Sequence, residues 1–158
     1  MDLRRLRAGE WITGLCGAAL VVDLFLPWYG AKGTSATVNA WEAFTVNDAI
    51  LLLIALFAVG AWAATATQRT PAVPVAMASL TALLAILGTV LVAIRLASVP
   101  IPDGTREYGA WLGLAACLGI LIGAVRAMND ERTPRSAAAE IDVTPLPPPQ
   151  PGAEGGTS

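Results

Sequence analysis

An aspartate, Asp23, stands inside the apolar run VVDLFLPWYG (21–30), and an arginine, Arg95, stands inside another, TVLVAIRLASV (89–99). An aspartate at the centre of a membrane-spanning helix costs about 2.5–3.5 kcal/mol on insertion scales. Each charge therefore needs a partner, a position near an interface, or a function. Asp23 lies about five residues from the end of its run, roughly 7 Å below the interface by helical rise, and Arg95 lies at nearly the same depth. The depth match predicts a hydrogen-bonded Asp23–Arg95 pair tying two helices together. Two other readings stay open: Arg95 lifting its guanidinium to the headgroups along its own stem, and Asp23 serving as a titrating transport site.

Four further ionisable residues belong to the same end of the chain's apolar runs: Glu42, Asp48, Arg106 and Glu107. Asn39 and Glu42 stand three apart, the spacing of a capping box, and Asp48 follows Asn47 where an acid favours a helix N-terminus. Together with Asp23 and Arg95 they predict a polar outer vestibule. Enzyme chemistry is not expected. The chain has no histidine and two cysteines, Cys16 and Cys117, both within apolar runs where thiols pack. No nucleophile–base pair, metal motif, phosphate loop or nucleotide fingerprint is present, and the basic residues are too dispersed for nucleic acid, so no cofactor is anticipated and these residues name no small-molecule ligand.

The elements that position these groups follow from hydropathy. Of 158 residues 55% are hydrophobic and only 14% charged, with a mean hydropathy of +0.61, well above a soluble domain. Four runs, at about 9–28, 48–67, 73–98 and 108–128, approach the ~20 residues that cross a bilayer as a helix. The expected fold is all-α: a four-transmembrane-helix bundle over 1–128, with a short interfacial helix near 40–45 laying Trp41 and Phe44 on the membrane surface. Trp28 and Tyr29 read as headgroup anchors at the end of the first span. A signal peptide is the competing reading of the first run, given Arg4, Arg5 and Arg7 ahead of it and AKG at 31–33; the run's length and Asp23 favour a span. Thr70-Pro71 signals a tight turn between helices, and PIPDGT (100–105) a second. From 129 to 158 a Pro/Gly-rich segment with five acids and two arginines reads as a disordered tail.

Seven of the ten Lys/Arg residues fall at the N-terminus, at Arg69 and after the last run, which places both termini in the cytoplasm by the positive-inside rule. The step GILIG (119–123) puts Gly119 and Gly123 on a small-residue face with Leu112, Ala116 and Ala127, suited to close helix packing within the bundle or against a second copy. In order along the chain, GE (9–10), FLPWYG (25–30), AWEAF (40–44) with Asp48, one arginine near the end of the third run, and REYG (106–109) resemble small uncharacterised four-helix integral membrane proteins of actinobacteria. The resemblance covers about 9–128 and implies the four-helix fold but no activity, cofactor or site. The expected function is a non-enzymatic structural or accessory component of the cytoplasmic membrane, with the lipid bilayer and other membrane proteins as partners. The alternative is a small transporter or channel-like subunit using Asp23.

Overall fold

The computed structural model describes residues 6–33, 35–43, 46–67, 72–99 and 104–132. Four long helices dominate: α1 (Ala8–Asp23), α3 (Asn47–Thr67), α4 (Ala72–Ala97) and α5 (Tyr108–Arg132). Between α1 and α3 come strands β1 (Pro27–Ala31) and β2 (Thr37–Asn39) and the short helix α2 (Ala40–Ala43), and β3 (Gly104–Arg106) precedes α5. Among the described residues, three helices contain stretches long and apolar enough to cross a membrane: Asn47–Thr67, Ala76–Ala97 and Tyr108–Asn129. At 16 residues α1 is shorter, about 24 Å by helical rise against ~30 Å of hydrocarbon.

The helices form a square. α1 packs on α3 and α5, and α4 packs on the same two, so α1 and α4 face each other only across the diagonal. The lateral faces carry large apolar side chains, among them Leu15, Val22, Leu53, Leu56, Leu83, Ile86, Ile94 and Ile122, while the interior is rich in alanine with Thr13 and Thr81. That is the polarity expected when the solvent is hydrocarbon: large side chains gain nothing by turning inward, and small ones let helix backbones approach. The α1–α5 seam illustrates it. Gly123 lies against Thr13 and the Gly9 carbonyl, Gly119 against Cys16, Gly113 against Asp23 and Trp28, and Gly109 against the Pro27 carbonyl. The expected small-residue face is thus spent within the chain, with Gly109 and Gly113 extending it, whereas Leu112 turns outward at 49% exposure.

The first helix stops short of its expected end at residue 28. Pro27 disfavours helical geometry at Leu26, and the chain leaves α1 through a turn in which the N–H groups of Leu24, Phe25 and Leu26 donate to Leu20, Val22 and Asp23 carbonyls. Pro27, which has no N–H to give a ladder, then opens β1. β1 is the centre of an antiparallel sheet of order β2-β1-β3, pairing Gly30 with Thr37 on one side and with Thr105 on the other. The all-α expectation is corrected by this three-stranded cap over one end of the bundle. Gly33, at φ 82°, makes the turn that returns the chain toward β2. α5 runs on to Arg132, four residues past its expected end at 128. The Thr70-Pro71 turn, Phe44, Asp103 and the tail from 133 onward lie outside the described residues.

Candidate functional site at the capped end of the bundle

Trp28 and Tyr29 decide the geometry of the capped end. Both are fully buried, not headgroup anchors. β1 delivers Trp28 into the mouth of the bundle, where its ring lies against Gly109 and Gly113 of α5 and lines a gap with Asn47, Leu51, Leu91, Val92 and Arg95. Its indole Nε1–H donates to the Asp23 main-chain carbonyl at 2.9 Å. The Tyr29 hydroxyl donates to the Arg95 carbonyl at 3.1 Å, joining the sheet to α4. Burial pushes the Tyr29 phenol above its ordinary pKa, while Arg95 and Arg106 pull it the other way. The exposed aromatic pair at this end is instead Phe25 with Trp41, ring centroids 6.0 Å apart.

The Asp23–Arg95 pair is not formed. Asp23 is 3% exposed, and neither carboxylate oxygen has a hydrogen-bond partner. Its Oδ2 points toward Gly113 of α5. The Arg95 guanidinium meets the Asn47 side chain: with the amide oxygen turned toward it, Asn47 accepts from Nη2 at 2.9 Å and Nε at 2.7 Å. The reason is the square. Asp23 and Arg95 both stand near the capped end but on diagonal helices, and the Trp28 ring lies against both regions. The angular order of helices cannot be counted along a sequence.

The other four residues of the expected vestibule also disperse. Glu42 and Asn39 exchange the reciprocal bonds of a capping box, each 3.0 Å, at the exposed start of α2. Asp48 stands in the first turn of α3, where the acid was expected, and is 2% exposed with an Oδ1 that accepts no hydrogen bond. Arg106 lies in β3 and reaches back to the end of α4, Nε donating to the Leu96 carbonyl and Nη2 to that of Ala97 at 3.4 Å. A guanidinium there meets carbonyls that the helix leaves without partners, at the negative end of its dipole. Glu107 accepts from the Thr105 hydroxyl at 3.2 Å, and its N–H donates to the Trp28 carbonyl. Among the described residues, Trp28 and Tyr29 lie fully buried at this same end.

The opposite end is different. A cleft of about 310 Å³, counting its open mouth, lies among all four long helices and is lined by Glu10, Thr13, Trp62, Thr65, Thr81 and alanines. Sequence reasoning passed over it, since each lining residue looks ordinary in its own helix. One signal was available: Thr13, Thr65 and Thr81 are hydroxyls in otherwise apolar spans, and all three fall toward the same end. Compared with protein-family models, with curated proteins and with solved structures, the chain finds no match.

Proposed function

We propose that this is an integral membrane protein in which all four long helices, α1 included, cross the bilayer with both termini in the cytoplasm, acting as a non-enzymatic accessory component of the cytoplasmic membrane. The observation that carries the reading is the capped end: Trp28 and Tyr29 of β1 are fully buried, with β1 bonded to α4 through Tyr29 and packed on α5. A bundle capped this way offers partners its lipid-facing helix surfaces and its β-cap, not a pore. The length of α1 is compatible with crossing, since it packs between two longer spans and a short helix is accommodated by local thinning at modest cost. The actinobacterial four-helix resemblance fits the same reading.

One observation favours a second reading, a small carrier that uses Asp23 as a titrating site: a buried carboxyl without a hydrogen-bond partner is functional by default within a membrane. Asp23→Asn separates the two. Under the accessory reading, vesicles containing the parent protein carry no pH-dependent flux, and Asp23→Asn leaves co-purifying membrane proteins unchanged. A flux in the parent that vanishes in a folded Asp23→Asn variant would replace the accessory reading with the carrier.

A further inference from the structure

We propose that the cleft at the uncapped end binds a small aliphatic alcohol through its hydroxyl group. The inference stands on the hydrogen-bonding groups of the cleft itself and does not rest on the accessory reading or on the orientation of the bundle.

The donor that seeks a partner is the Trp62 indole. Trp62 lines the cleft, and its Nε1–H is buried with no hydrogen-bond partner among the described residues. The ring packs on Trp11, centroids 5.6 Å apart, which limits its freedom to turn toward water. The acceptors are three threonines. Thr13 of α1, Thr65 of α3 and Thr81 of α4 line the same cleft, and each donates its hydroxyl proton to a carbonyl one turn back in its own helix, at 2.7–2.9 Å. Each Oγ therefore presents lone pairs to the cleft's occupant and has no proton to give it. The remaining wall is mostly alanine from α3, α4 and α5. Glu10 lies there too, its carboxylate accepting from the Arg7 N–H at 2.7 Å, and a neutral occupant asks nothing of its charge.

The occupant must accept one hydrogen bond from the indole and donate one to a threonine oxygen. An ammonium has donors but no lone pair for the indole. A carbonyl or ether oxygen accepts from the indole but sets its other lone pairs against those of the threonines. A hydroxyl does both at a single atom. The enclosed floor has room for roughly one or two water-sized groups, enough for an O–H and its first carbon. The whole cleft, about 310 Å³ with its open mouth, continues along the alanine wall, where the carbons that follow are removed from water. Water has the hydroxyl but leaves that apolar wall uncovered, so the alcohol is the better match.

The test follows the indole N–H signals of the full chain by nuclear magnetic resonance, in mild detergent with isotope-labelled tryptophan. Trp62→Phe and Trp111→Phe identify two of the five signals, the second as an exposed control. Titration with n-propanol should move the Trp62 proton downfield to saturation and leave Trp111 in place. Tetrahydrofuran, an acceptor without a proton to donate, should bind at least about fivefold more weakly, the worth of one neutral hydrogen bond. At least one of Thr13→Val, Thr65→Val and Thr81→Val should raise the half-saturating propanol concentration by about the same factor while helical circular dichroism is unchanged. No saturable shift of Trp62 overturns the proposal, as does equal binding of tetrahydrofuran, or propanol binding that all three valine variants retain. A Trp62 N–H that shows magnetisation transfer to water undiminished by propanol assigns the cleft to water alone and overturns it as well.

Discussion

The glycine seam between α1 and α5 gives a sharp test of the helix arrangement, because the molecule contains its own control. A methyl group added at Gly123 would stand 2.5 Å from the Thr13 hydroxyl oxygen and 2.7 Å from both the Gly9 carbonyl oxygen and the Thr13 nitrogen, where ordinary contact begins at 3.4 Å. Two of these three atoms are backbone, so no rotamer change relieves the clash and the helices must part. Overpacking of this kind costs about 1–3 kcal/mol. Gly60, within α3, has nothing within 4 Å of the same added methyl. Both substitutions gain about 1 kcal/mol of helix preference, which cancels when the two variants are compared. At roughly 2–4 °C per kcal/mol for a chain of this size, Gly123→Ala should melt about 2–12 °C below Gly60→Ala in the same mild detergent. Circular dichroism at the helix band is sufficient to read it. If the two variants melt together, α5 does not present its glycines to α1, and the square arrangement falls with the explanation it gives for the missing Asp23–Arg95 pair. Gly119→Ala should lie between them, since its neighbour is the Cys16 side chain and not backbone.

Two other perturbations probe the capped end. The Tyr29 phenol is held above its ordinary value of 10.0 by burial, so the folded state retains that proton longer than the unfolded chain does. Its contribution is complete below about pH 10 and is lost as pH rises through the folded value. Melting of the parent should fall more steeply than that of Tyr29→Phe above this point, while below it Tyr29→Phe melts lower by the loss of the Arg95 bond, about 1 kcal/mol; parallel curves would contradict the buried phenol. For the α3–α4 tie, a double-mutant cycle with Asn47→Ala and Arg95→Met should give a coupling of about 1 kcal/mol, and strict additivity would show that the two side chains do not meet.

Much of the chain was legible residue by residue. Hydropathy located the four long helices to within a few residues except at the end of α1. There the apolar run continued through Leu24, Phe25 and Leu26 after the helix had stopped, and the restriction that Pro27 places on Leu26 was the stronger signal. The Asn39–Glu42 box was also legible, because a capping box joins residues three apart and needs no tertiary context. The inward use of Gly119 and Gly123 was one of two readings of a small-residue face.

The sheet was hidden. Its strands are three to five residues long and come from segments as far apart as Pro27 and Arg106, so no local period announces them. Burial of Trp28 and Tyr29 was hidden for the same reason: an aromatic pair after an apolar run looks identical whether it faces headgroups or is turned inward by a strand. The sequence by itself determined which segments are helical, since that depends on near neighbours; it did not set the depth of Asp23, counted from residue 28 although α1 ends at Asp23 itself. Only the tertiary structure decided which charges meet. Helix order around the bundle axis placed Asp23 and Arg95 on a diagonal, set Trp28 against both regions, and left Asn47 beside the arginine, because contact between helices depends on azimuth and neighbour order, quantities that no count along the chain supplies.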